Sequence, residues 1–88
     1  MKNDEIRIKL LSILKKICQG SFKMIDDEVS IYQECGLDSI QFVQFMLIVE
    51  NIFAVKLSDH LLDKIGEASI NDFIEEINNV EKSKNEKN

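Results

Sequence analysis

With 88 residues, the chain has room for one modest hydrophobic core and not for two. Hydrophobic residues make up 44% and charged residues 31%, a balance that excludes a disordered chain. The 11 Lys and Arg against 16 Asp and Glu leave a net charge of −5, which excludes the basic surface that nucleic-acid binding needs. The longest unbroken apolar run, Phe45 to Val49, is far short of a membrane span, so no membrane partner is expected. Pro is absent and Gly numbers only 3, so few turns are forced and an all-α chain is predicted. Cys18 and Cys35 stand apart with no C-x-x-C spacing. With His60 as the one histidine they cannot complete a zinc site, so no metal is expected and both read as small reduced core residues. The opening Met1-Lys2-Asn3-Asp4-Glu5 leads into a charged amphipathic stretch and not an apolar leader, which predicts a cytoplasmic protein.

Taken in order, Ile6, Leu10, Ile13, Leu14, Ile17 and Cys18 recur at spacings of three and four, predicting an amphipathic helix from Asp4 to Gln19. Asn3 or Asp4 is the candidate N-cap, and Gly20 the stop. Residues 20–38 read as one long connection, with Phe22, Met24, Ile25, Val29, Ile31 and Tyr32 laid over the core and no element of its own. A second helix is predicted from Ser39 to Phe53, with Asp38 as N-cap and Gln41 at the position of a capping-box partner. Ser58 is the next N-cap candidate, before a short helix from Asp59 to Ile65 with Leu61, Leu62 and Ile65 inward and Gly66 as its stop. Ser69-Ile70-Asn71-Asp72 opens the last helix, with Ile70, Phe73, Ile74, Ile77 and Val80 inward. From Glu81 the chain has no apolar anchor and is expected to fray. The sum is a small four-helix bundle of three longer helices and one short one.

The second helix organises the rest, because it is apolar almost all the way round. Ile40, Phe42, Val43, Phe45, Met46, Leu47, Ile48, Val49, Ile52 and Phe53 are too many for one narrow stripe. One helix in so small a domain cannot easily bury its whole circumference, so part of it is available to a partner. At its head stands one hydroxyl, Ser39, preceded by Gly36-Leu37-Asp38.

Gly36-Leu37-Asp38-Ser39-Ile40, the apolar helix behind it and the Asn51-Ile52-Phe53-Ala54-Val55 exit resemble the acyl carrier protein family. The likeness runs over the helix pattern from Ile6 to Ile77. It implies a carrier domain over residues 1–80 with a flexible charged tail at 81–88. It further implies a covalent phosphopantetheine arm on Ser39, holding acyl or aminoacyl groups as thioesters, and Asp38 as a cap that also serves recognition by a phosphopantetheinyl transferase. By the family's register Phe42, Phe45, Met46, Val49 and Phe53 face the core. Ile40, Val43 and Leu47, at i, i+3 and i+7, lie outward below Ser39 and form a docking face together with Glu50, the one formal charge between Ser39 and Phe53. Acyl- or aminoacyl-loading and -processing enzymes are the implied partners of a monomeric carrier that is itself no enzyme. Carriers of fatty acid synthesis place acidic residues along this helix, where Gln41 and Gln44 stand here. That departure favours a specialised route, such as polyketide, nonribosomal peptide or acyl tailoring, over housekeeping fatty acid synthesis.

Esterification at Ser39 makes chemical sense. A phosphodiester at a helix N-terminus gains from free backbone N–H groups and the positive end of the dipole. The competing reading, from another class, is a helical interaction module in which Asp38-Ser39 only caps a helix and the apolar face binds a protein. No catalytic constellation competes. His60 lacks a positioned nucleophile, Cys35 lacks a paired histidine, and Asp26-Asp27-Glu28 lacks the alternating ligands and central Gly of a calcium loop.

Overall fold

The computed structural model describes residues 2–18 and 26–86. Among these residues five helices follow in order: α1 (Asn3–Cys18), α2 (Ile31–Glu34), α3 (Ser39–Phe53), α4 (His60–Asp63) and α5 (Ile70–Glu86). No strand occurs among the described residues. Three of these helices are long and two are single turns, so the all-α bundle stands, with one short helix more than expected.

α1 buries Ile6, Leu10, Ile13, Leu14 and Cys18 along one stripe. Asp4 and Glu5 occupy its first turn and Lys15 and Lys16 its last, each at the favourable end of the helix dipole. It starts earlier than either cap candidate allows. Asn3 and Asp4 sit inside the first turn, because the Lys2 carbonyl already accepts the Ile6 N–H at 3.1 Å. The expected helix end at Gln19, the Gly20 stop, and Phe22, Met24 and Ile25 lie outside the described residues.

The connection before Ser39 holds an unexpected turn of helix, α2. Ser30 caps it, accepting the Gln33 N–H at 3.2 Å, and Ile31 buries completely. The segment is then tied to the far side of the bundle by three hydrogen bonds. Ile31 N–H donates to the Ala68 carbonyl (2.9 Å), Gln33 Nε2 to the Gly66 carbonyl (2.9 Å), and Asn71 N–H to the Asp27 carbonyl (3.0 Å). Arg7 adds an ion pair to Asp27 at 2.6 Å. A stretch that reads as loop therefore has its own packing, which is how so long a connection is stabilised.

α3 packs against α1, and α1 in turn packs against α5. Phe42, Phe45, Met46 and Val49 form its buried face, with Phe53 partly buried beside them. An edge-to-face chain of rings runs through the centre. Tyr32 meets Phe42 at 6.3 Å between centroids, Phe42 meets Phe73 at 6.0 Å, and Phe73 meets Phe45 at 4.9 Å.

α4 departs from expectation at its start. Ser58 is not its cap: the N-cap is Asp59, whose side chain makes no capping bond, while the Ser58 N–H donates to Glu76 Oε1 at 3.0 Å. Leu61 buries and Ile65 packs partly against the core, but Leu62 points out, since a single turn cannot turn two adjacent leucines inward. α5 begins at the expected box. Ser69 N–H donates to Asp72 Oδ2 (2.9 Å) and Asp72 N–H to Ser69 Oγ (3.3 Å). Partial burial pushes the Asp72 carboxyl upward, but the Ser69 N–H and the Lys64 ammonium outweigh it and hold the group below its ordinary 3.8. Ile70, Phe73, Ile74 and Ile77 bury and Val80 packs partly. The backbone of α5 runs on to Glu86.

Phe73 joins two of these ring contacts, so Phe73→Ala should cost about 3–5 kcal/mol in urea unfolding, whereas Ile40→Ala on the outer face should stay within about 0.5 kcal/mol of the parent.

Candidate functional site

The site is built where α2 hands the chain to α3. Gly36 takes a left-handed backbone (φ 63°) that favours glycine, with open space around it. Its neighbour Leu37 buries, and the Leu37 N–H donates to the Tyr32 carbonyl at 3.0 Å, so the turn is pinned from the inside. Asp38 follows in extended backbone as the N-cap. Its Oδ1 accepts the Gln41 N–H at 2.7 Å, while its own N–H donates to Gln41 Oε1 at 3.0 Å, completing the box. The Phe42 N–H is taken by the Asp38 carbonyl at 3.0 Å.

These bonds leave Ser39 as the first helical residue, exposed. Its hydroxyl has no hydrogen-bond partner among the described residues, and neither the Ser39 nor the Ile40 N–H is used by the cap. An unspent hydroxyl thus sits beside two unspent first-turn amides at the positive end of a 15-residue helix. Ser30 and Ser69 spend their hydroxyls as caps, Ser12 lies in the middle of α1, and Ser58, exposed as well, precedes only the single-turn α4.

Below Ser39, Ile40 is 71% exposed, Val43 39% and Leu47 59%, against full burial of Phe42, Phe45 and Val49 on the opposite face. Val43 and Leu47 line a groove of about 220 Å³ between α3 and α4, together with Met46, Leu57 and Leu62 and the charged Lys56 and Asp59. Ile40 lies beyond the groove's lining. The outward apolar set is also broader than expected, since Ile48 and Ile52 are exposed as well.

Glu50 reaches the groove, but its carboxylate is engaged. Its Oε2 accepts the Leu57 N–H at 2.8 Å, and its carbonyl accepts the N–H groups of Ala54 and Val55. The residue read as a docking charge therefore also fastens the corner after α3. That role was invisible in the sequence, because an acid near a helix C-terminus opposes the dipole and suggests no structural task. Leu62 was missed for a simpler reason: nothing in a Leu-Leu pair says which one faces in.

His60 is exposed on α4. Cys35 is half-buried at the end of α2, and burial first, then the neighbouring Cys18 sulfur, pushes its thiol up to about 12. A thiol so hard to ionise is only a slow nucleophile at neutral pH, and no paired histidine activates it. No group of ligating side chains that could hold a metal occurs among the described residues.

Over residues 9–77 the chain matches the family model described as phosphopantetheine attachment site. The chain belongs to that family. No curated protein and no solved structure matches it. The family carries phosphopantetheine covalently and its members are carriers, not catalysts, so this chain is a phosphopantetheine carrier. The geometry around Ser39 fits such a group: a phosphodiester needs a hydroxyl that an enzyme can reach and donors for its oxygens, and both are present. No helix among the described residues is long and apolar enough to cross a membrane.

Because the unfolded chain gives up the Cys35 proton near 9.0 and the folded chain holds it to about 12, the unfolded state binds fewer protons across that window and stability falls as pH rises. Urea midpoints followed from below 9.0 toward 12 should decline more steeply for the parent than for Cys35→Ala.

Proposed function

We propose that Ser39 bears the phosphopantetheine arm, and that the outer face of α3 with the α3–α4 groove is where partner enzymes dock. The observation that carries this reading is the exposed, unbonded Ser39 hydroxyl at the capped head of α3, in a chain whose family carries this group. When attached, the arm supplies a terminal thiol on a long tether, where acyl or aminoacyl groups ride as thioesters. The chain's own residues do the positioning. Asp38 and Gln41 hold the first turn, Leu37 anchors the approach, and the Ser39 and Ile40 amides would be the donors open to a phosphate. One Asp38 oxygen is spent on the cap, and the other is left for the phosphopantetheinyl transferase that installs the arm.

Ile40, Val43 and Leu47 give partners an apolar seat, bounded by Leu62 across the groove. Each Å² of apolar surface covered there is worth roughly 25 cal/mol before the costs of association. Gln41 is engaged in the cap, Gln44 is neutral, and Glu50 is tied to Leu57, so α3 offers little charge for steering. That supports a dedicated carrier of a polyketide, nonribosomal peptide or acyl-tailoring route over a housekeeping fatty-acid carrier. Its loading and processing enzymes would select it by shape and apolar contact. The two free cysteines fit the reducing cytoplasm. We further propose that it acts as a monomer, with residues 1–80 as the carrier domain and 81–88 as a charged extension outside the core.

Coexpression with a broad-specificity phosphopantetheinyl transferase should raise the intact mass by roughly 340 Da, as the formula of the arm requires, and Ser39→Ala should abolish the gain. An unmodified parent chain, or a modified Ser39→Ala chain, would overturn the assignment. Leu47→Glu should leave the unfolding midpoint within about 0.5 kcal/mol of the parent. It should also raise the transferase KM severalfold by placing a charge in the apolar seat; an unchanged KM would remove Leu47 from the docking face.

A further inference from the structure

The two cysteines, far apart in sequence, converge behind the turn that leads to Ser39. Cys18 closes the last turn of α1, and Cys35 is the C-cap of α2. Cys18 Sγ lies 4.0 Å from the carbonyl oxygen of Cys35. Both are free thiols, Cys18 buried and Cys35 half-buried. The backbone on the Cys35 side is well held: its N–H donates to the Ile31 carbonyl at 3.0 Å, and Leu37 is anchored two residues on. Neither thiol has a task in the site described above.

We propose that Cys18 and Cys35 are a disulfide-forming pair, a redox-modification site that couples the end of α1 to the turn carrying Ser39. The oxidant is a small-molecule disulfide of the glutathione class. The half-exposed Cys35, as its thiolate, attacks one sulfur of that disulfide and expels one small thiolate. Cys18, as its thiolate, then attacks the Cys35 sulfur of the mixed disulfide and expels the second. The protein's S–S bond forms and the oxidant's breaks. Two protein thiols lose two protons and two electrons, and the oxidant leaves as two thiols. The Cys35 thiol ionises reluctantly, so the first step is slow near neutral pH and quickens as pH rises. Closure would cross-link the chain on either side of residues 19–34 and restrict the unfolded ensemble. The effect on the protein is a clamp behind the helix head, next to the loop that presents the hydroxyl.

The test does not depend on any arm being attached. The full chain, unloaded by mass, is equilibrated with oxidised and reduced glutathione and then alkylated. Intact mass should fall by about 2 Da before alkylation, with both cysteines blocked to the reagent and dithiothreitol restoring them. The thermal midpoint of the closed form should rise by several degrees, as expected for a cross-link of about this loop length. Closure should be lost in Cys18→Ala, which would instead hold one glutathione on Cys35. Stable glutathione adducts on the parent chain, disulfides only between two copies, or a closed form with an unchanged or lowered midpoint would each overturn the clamp. Since Ser39→Ala retains both cysteines, running it in parallel separates this result from the identity of the arm-bearing residue.

Discussion

The reciprocal hydrogen bonds between Asp38 and Gln41 are the constraint on which the arrangement depends. They satisfy the donor that would otherwise be orphaned at the third helical position and bring the cap residue's own N–H into the same closed pair. With that pair closed, the start of α3 is fixed to the residue. Leu37 on one side is committed to the core and Ile40 on the other to water, and Ser39 has no choice of place between them. The hydroxyl needs no bond of its own, because its neighbours supply all the bonds that position it. An exposed group held only through adjacent residues is both well placed and chemically unspent, which is what a modifying enzyme requires.

The same helix settles a conflict between stability and use. Burying Phe42, Phe45, Met46 and Val49 against α1 and the Phe73 ring satisfies the core. Keeping Ile40, Val43 and Leu47 in water forgoes a similar gain on the other side. A domain of this size can accept that only because the rest is economical. Even the connection before α3 buries Ile31 and sends three hydrogen bonds across to the α4–α5 junction and the head of α5.

Much of this was legible in the residues. Asp38 and Gln41 stand three apart at the head of an apolar run, and Ser69 and Asp72 repeat the spacing before α5; caps are local, so their sequence signal is strong. The division of α3 into Phe42, Phe45, Met46 and Val49 inside and Ile40, Val43 and Leu47 outside followed from family register, since hydrophobicity alone cannot sort a helix that is apolar nearly all round. What escaped notice depends on distant partners. α2 is one turn long, too short for a periodic signal, and is held by Ala68 and Gly66 from the other end of the chain. Ser58 looked like a cap, yet its N–H went to Glu76, while Asp59 took the position without a side-chain bond. Glu50 looked like a free surface charge and turned out to accept the Leu57 amide.

That corner has a dynamic consequence. The amides of Ala54, Val55 and Leu57 all donate to Glu50, two to its carbonyl and one to its carboxylate. Ala54 sits in left-handed backbone (φ 53°), which for a residue with a Cβ stores roughly 1–2 kcal/mol that opening would release. The three N–H groups are therefore shielded from solvent deuterons by one residue at the edge of the groove, two through its backbone and one through its side chain. Because this corner closes the opposite end of α3 from Asp38 and Ser39, its amide exchange reports on the edge of the groove separately from the exchange at the helix head.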